Sequence, residues 1–81
     1  MKMEIKVLGP GCANCKTLER NVVNAVAELS VEAAVEKVED IVQIMSYGAL
    51  RTPGLVINGK LVSSGRLLNV NEVKDLILKN Q

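Results

Sequence analysis

Gly11-Cys12-Ala13-Asn14-Cys15 is the stretch on which the reading of this chain turns, and it holds both cysteines. Upstream, Met3-Glu4-Ile5-Lys6-Val7-Leu8 alternates apolar and polar residues, with Met3, Ile5 and Val7 on one face. That is the period of a strand. Gly9-Pro10-Gly11 breaks it. Downstream, from Cys12 to Leu29, the residues Leu18, Val22, Ala25, Val26 and Leu29 recur at spacings of three and four, the period of a helix. The CxxC therefore falls at a helix N-terminus, where free N–H groups and partial positive charge stabilise a thiolate. Two thiols one turn apart at such a place can exchange disulfides or hold a soft metal.

The remaining chain supplies the partners of that first strand and helix. Val31, Ala33 and Val35 alternate again, which predicts a second strand. Asp40, with Gln43 three residues on, predicts the cap of a short helix whose buried side is Ile41, Ile44 and Met45, with Gly48 as its stop. Thr52-Pro53-Gly54 is a turn signal. Leu55-Val56-Ile57 is a short apolar strand, and Asn58-Gly59 is a strong hairpin signal returning the chain through Leu61-Val62-Ser63-Ser64. Asn69 and Glu72 cap a last helix with Val70, Val73, Leu76 and Ile77 on its apolar side. Lys79-Asn80-Gln81 reads as a frayed end. The order β-α-β-α-β-β-α gives parallel strands from the first unit, joined by a right-handed crossover, and antiparallel strands from the hairpin. The expected fold is α/β, a four-stranded mixed sheet with helices on both faces, as one domain over residues 1–81.

Composition narrows the function. Eighty-one residues allow one small domain. A net charge of +1 and a single aromatic, Tyr47, provide neither the basic surface nor the stacking platform of a nucleic-acid binder. With no histidine, the commonest general base and metal ligand is absent. Met1, Met3 and Met45 form no metal-binding stripe; Met3 and Met45 read as core, and Tyr47 as a core-edge residue. Lys2, Glu4 and Lys6 interrupt the N-terminus, which leaves no signal-peptide apolar region, and no apolar run approaches a membrane span of about 20 residues. The expected address is the cytoplasm, with no membrane partner, and there a CxxC is more often catalytic or metal-binding than a structural staple. Its loop is also too short for a disulfide to stabilise a fold much.

Cys12 lies nearer the exposed end of the helix, so its thiolate can attack a substrate disulfide, and Cys15, one turn inward, can resolve the mixed disulfide. Lys16, four residues from Cys12, adds positive charge. The competing reading is two buried small hydrophobes. Thr52-Pro53 stands just before the hairpin; its peptide bond is cis if a tight turn holds it and trans otherwise.

These motifs, their order and the chain length together resemble the thioredoxin superfamily, and within it the small, glutaredoxin-sized thioredoxin-like redox-active disulfide proteins of archaea and bacteria. The CxxC is similar to the family's active site, Thr52-Pro53 to its cis-proline motif, and Leu55-Val56-Ile57-Asn58-Gly59-Lys60 to the hairpin that follows. The resemblance implies Cys12 as nucleophile and Cys15 as resolving thiol. It implies a cis Pro53 against the sulfurs and a Thr52 backbone that pairs with an extended substrate. It implies a substrate groove formed by Gly11, Ala13, Asn14, Thr52, Pro53, Ser64 and Gly65. This chain departs from thioredoxin proper at Gly11, where a Trp is usual, and at Ala13-Asn14, where Gly-Pro is usual. Lys6 stands where the family places a buried carboxylate that helps deprotonate the second cysteine, which leaves that transfer to water or another group such as Glu4. Ser63-Ser64-Gly65-Arg66 carries no acid where glutaredoxins have a glutathione-binding Asp. Arg51, Lys16 and Arg66 offer positive charge there, though each reads individually as a solvated surface residue.

Three function classes remain. The leading one is a thiol–disulfide oxidoreductase that passes two electrons between its CxxC and disulfide-containing protein substrates. It needs no bound cofactor beyond the redox-active Cys12–Cys15 pair and draws on a thioredoxin-reductase-like flavoprotein or a thiol pool. The second is a Cu(I) carrier using the same thiols; such carriers have a Met before the first Cys and a β-α-β-β-α-β order, neither of which occurs here. The third is a thioredoxin-fold binding module without turnover. Nothing in the chain provides a further metal site.

Overall fold

The alternation of the first strand decides the layering. In the computed structural model, which describes residues 2–81, β1 (Met3–Leu8) buries Met3, Ile5 and Val7 on one face of the sheet. Met1 lies outside the described residues. β1 is central: β2 (Ala33–Val38) pairs with it in parallel, β3 (Gly54–Ile57) pairs antiparallel on its other side, and β4 (Lys60–Ser64) pairs antiparallel with β3. The strand order β2-β1-β3-β4 makes the expected four-stranded mixed sheet.

Two helices cover one face. α1 (Ala13–Leu29) buries Cys15, Leu18, Val22 and Ala25, and α3 (Val70–Lys79) buries Val73 and Ile77. With Ile5, Val7, Leu55, Ile57 and Leu68 they form the larger core. Asn21 of α1 donates its amide to the Leu68 carbonyl at 2.8 Å, tying α1 to the chain entering α3. Asn69 and Glu72 form a reciprocal capping box at the α3 N-terminus, as their spacing predicts. The other face carries α2 (Ile41–Ser46), packed through Ile44 on a smaller cluster of Leu8, Val38, Ala49 and Val56. Leu18 is fully buried between helix and sheet. Leu18→Ala is expected to cost about 2–5 kcal/mol. A urea midpoint that falls with unchanged slope checks this, and a cost under about 1 kcal/mol would contradict the docking of α1.

Three local expectations are corrected. Met45 and Ile41 are exposed by 60% and 53%, so neither is core and Ile44 alone is the buried residue of α2. A six-residue helix makes fewer than two turns, and the cluster beneath it is small. Asp40 caps α2 by accepting from the Val42 N–H at 2.9 Å, with no reciprocal bond from Gln43. Within the stretch expected to fray, Asn80 is held: its amide donates to the Leu76 carbonyl at 2.7 Å, and its own carbonyl accepts from Asn58 at 3.3 Å. Asn58 and Gly59 both adopt positive φ, the requirement of the tight hairpin their sequence signals.

Sheet register brings the chemistry to one end. Leu8 pairs with Val38 and with Gly54, and Gly54 pairs with Ser64. The chain leaving β1 toward Cys12, the chain leaving β2 at Glu39, the chain entering β3 from Pro53 and the chain leaving β4 at Ser64 therefore all meet along the same edge. Glu4 sits near the opposite end of β1, its backbone N–H bonded to the Asn58 side chain at 2.9 Å.

Candidate redox site

Gly9-Pro10-Gly11 turns the chain from β1 into α1 and leaves Cys12 as the N-cap residue, in extended conformation with φ −67° and ψ 164°. Cys12 and Cys15 are joined by a disulfide, with Cα atoms 5.0 Å apart. The Cys12 sulfur accepts a hydrogen bond from the Cys15 N–H at 3.1 Å. The position that a Ser or Asp oxygen fills in an ordinary cap is thus filled by sulfur. In the dithiol state a thiolate at that place receives a charge-assisted N–H bond and the positive end of α1. The first turn of α1 carries no acidic side chain. Cys12, Ala13, Asn14 and Lys16 are exposed, whereas Cys15 is buried at 5% exposure.

Other predicted residues lie at the same end of the sheet, where Leu8 pairs with Gly54 and Gly54 with Ser64. The Thr52–Pro53 bond is cis, and Pro53 is buried. Its carbonyl accepts from the Gly65 N–H at 2.9 Å, and the Ser64 hydroxyl donates to the Arg51 carbonyl at 2.9 Å. Ser64 and Gly65 thereby clamp the Arg51–Pro53 loop. Gly65 has φ +78°, and a Cβ there would stand 2.9 Å from that of Arg51.

Lys6 behaves differently from the rest. It projects from the α2 side of the sheet, with Nζ 5.9 Å from the centre of the Tyr47 ring. Tyr47, through hydrogen bonding and charge, and then the Glu36 and Glu4 carboxylates raise its pKa above the ordinary lysine value. The folded value is raised, so this interaction stabilises the fold while Lys6 is protonated and fades only as the pH climbs through that raised value. No buried charged or polar side chain lies near Cys15 among the described residues. Arg66 is engaged by Glu72 at 2.9 Å and is not a free cation.

Two residues escaped the sequence reading. Gly9 is buried against Cys15: a Cβ at Gly9 would overlap the Cys15 sulfur and stand 2.9 Å from the Cys15 Cβ, with the Thr52 Cβ at 3.9 Å. In sequence it is one glycine of a strand-breaking Gly-Pro-Gly, and its close approach has no periodic signal. Glu39 places a carboxylate oxygen 3.3 Å from the point where a Gly11 side chain would begin. Gly11 itself has φ +92°, a conformation natural to glycine. Among the described residues no group of three or more His, Cys, Asp or Glu side chains is gathered where it could hold a metal ion.

A family model described as a thioredoxin domain matches residues 3–78. The chain belongs to the thioredoxin-domain family. It is 40% identical over 75 residues to a thioredoxin of Methanothermobacter thermautotrophicus, covering 93% of this chain and 97% of that one. It is 34% identical over 71 residues to a thioredoxin of Methanocaldococcus jannaschii, covering 88% and 81%. A solved structure described as that of a malarial protein superposes with a TM-score of 0.73 over 99% of this chain and 98% of the other, at 11% identity, which shows the common fold. This thioredoxin-domain protein is a redox protein of thioredoxin type and, at the level of its family, a thiol–disulfide oxidoreductase. No helix among its described residues is long and apolar enough to cross a membrane.

Proposed function

We propose that this protein is a cytoplasmic dithiol reductant of protein disulfides, with Cys12 as nucleophile and Cys15 as resolving thiol. The observation that carries the reading is the Cys12 sulfur at the α1 N-cap, exposed and hydrogen-bonded to a backbone N–H, above a buried Cys15. The Cys12 thiolate attacks one sulfur of the substrate disulfide. A Cys12–substrate disulfide forms, the substrate S–S bond breaks, and the departing thiolate takes up a proton. Cys15 loses its proton and attacks the Cys12 sulfur. The Cys12–Cys15 disulfide forms, and the second substrate sulfur leaves and is protonated. Two electrons and two protons have passed to the substrate. A thioredoxin-reductase-like flavoprotein or a thiol pool returns them.

Gly11, Ala13 and Asn14 form one wall of the substrate groove in this reading, and Thr52, Pro53, Ser64 and Gly65 the other. The Thr52 backbone is the pairing edge for an extended substrate segment. Lys16 and Lys6 are its modulating cations, Lys16 by proximity in sequence to Cys12 and Lys6 only at long range from beside Tyr47. The alternative of Cu(I) carriage has no observation in its favour beyond the two thiols, since the chain lacks the element order of such carriers.

Alkylation tests the assignment of roles. At pH 6–7 the reduced protein is expected to be labelled at Cys12 at least about tenfold faster than at Cys15. Equal or reversed labelling, read by peptide mass, would reverse the roles. A titration against a defined dithiol buffer is expected to give one reversible two-electron transition between roughly −300 and −200 mV. The lack of such a transition would remove the reductant reading.

A further inference from the structure

The parallel pairing of β1 with β2 sends two segments out of the sheet side by side: Gly9 to Cys12 from one strand, Glu39 and Asp40 from the other. The ladder continues one step past Leu8, since the Gly9 N–H donates to the Val38 carbonyl at 2.9 Å. Glu39 follows at once and lays its carboxylate against Gly11, which has no side chain to hold it off. The charged groups around this edge differ in how they are engaged. Asp40 is occupied by the α2 cap. Arg66 is paired with Glu72. Lys16 and Arg51 are exposed cations in the neighbouring segments, and neither forms an ion pair among the described residues. The Ser64-Gly65 side brings no charge. Glu39 likewise has no hydrogen-bond or ion-pair partner among the described residues, and it is the carboxylate that reaches the residue adjoining Cys12.

We propose that Glu39 sets the redox poise of the Cys12–Cys15 pair, its negative charge disfavouring the Cys12 thiolate and so making the reduced pair a stronger electron donor. The inference rests on the reading of Cys12 as the thiolate. The disulfide is neutral and the reduced form carries the charge, so a neighbouring carboxylate destabilises only the reduced form. The N–H bond from Cys15 and the α1 terminus act in the opposite sense. Glu39 is a positioning residue in this scheme: it takes no proton and forms no bond in the exchange, and it shifts an equilibrium.

The experiment compares wild type with Glu39→Gln and Glu39→Asp, with Glu32→Gln at the far end of β2 as a control that removes the same charge. Each protein is taken through alkylation of the reduced form across pH and through a dithiol redox titration, at about 0.02 M and at 1 M salt. For Glu39→Gln at low salt, the dithiol–disulfide equilibrium is expected to move about two- to fivefold toward the reduced form. That is a potential roughly 10–20 mV less reducing, with the Cys12 pKa lowered in step. Glu39→Asp stays near wild type, Glu32→Gln does not move, and the Glu39→Gln difference collapses in 1 M salt, where the Debye length is about 3 Å. An unchanged Glu39→Gln, an equal shift in high salt, an equal shift from Glu32→Gln, or Glu39→Asp behaving as Glu39→Gln each overturns the proposal. If wild type is labelled first at Cys15, or shows no two-electron transition, the reading of the site fails instead. That outcome is visible before any Glu39 variant is compared.

Discussion

Cys15→Ser is expected to leave a protein that attacks a disulfide once and then stops. Cys12 still stands exposed at the N-cap, and the backbone N–H of residue 15 remains to hydrogen-bond its sulfur, because the bond comes from the main chain. The first exchange therefore proceeds, and the mixed disulfide accumulates because a hydroxyl cannot displace the substrate sulfur. Incubation with a disulfide-bearing protein should give a covalent adduct of one-to-one mass that a small thiol dissolves. Cys12→Ser is expected to form no adduct and to reduce substrate no faster than buffer dithiol alone, since Cys15 is buried at 5% exposure. Adducts formed by Cys12→Ser and not by Cys15→Ser would assign the nucleophile to the other sulfur.

Gly9→Ala is expected to damage both stability and resolution, although it adds one methyl group. That methyl would overlap the Cys15 sulfur. Gly9 cannot retreat freely, because its N–H continues the β1–β2 ladder to Val38 at 2.9 Å, and Cys15 is held in the first turn of α1. Overpacking of this kind costs about 1–3 kcal/mol, a large part of the roughly 5–15 kcal/mol that holds a small domain together. Two measurements separate the cause. Denaturation of the single variant gives the cost, and the same substitution in a Cys15→Ala background is expected to recover most of it, as a coupling energy between neighbours. A cost that is identical in both backgrounds would place the strain elsewhere than against Cys15.

The contrast between Cys12 and Gly9 shows where the sequence is legible. Cys12-Ala13-Asn14-Cys15 announces itself because thiols at this spacing, at the junction of a two-residue and a 3.6-residue period, have a chemistry that needs that junction. The Asn58-Gly59 turn and the Asn69–Glu72 capping box were equally legible, because each is built from residues within four positions of one another. Ile41 and Met45 were misjudged for the opposite reason. Their helical spacing is genuine, but whether a helical face is buried depends on how much apolar surface lies opposite, and below α2 that surface is a small cluster around Leu8, Val38 and Val56.

By itself the sequence determined the order of elements, the mixed sheet, the redox motif and the Thr52-Pro53 turn, because local period, capping and turn chemistry act over a few residues. Only the tertiary structure decided that Gly9 is the floor beneath Cys15, that Glu39 approaches Gly11, that Ser64 and Gly65 clamp the Pro53 loop, and that Arg66 is taken by Glu72. Each of these contacts joins separate segments or depends on how they pack. The approach of Glu39 follows from the register of β1 with β2, and the clamp on the Pro53 loop from that of β3 with β4; register is a property of paired strands that no single stretch of chain contains.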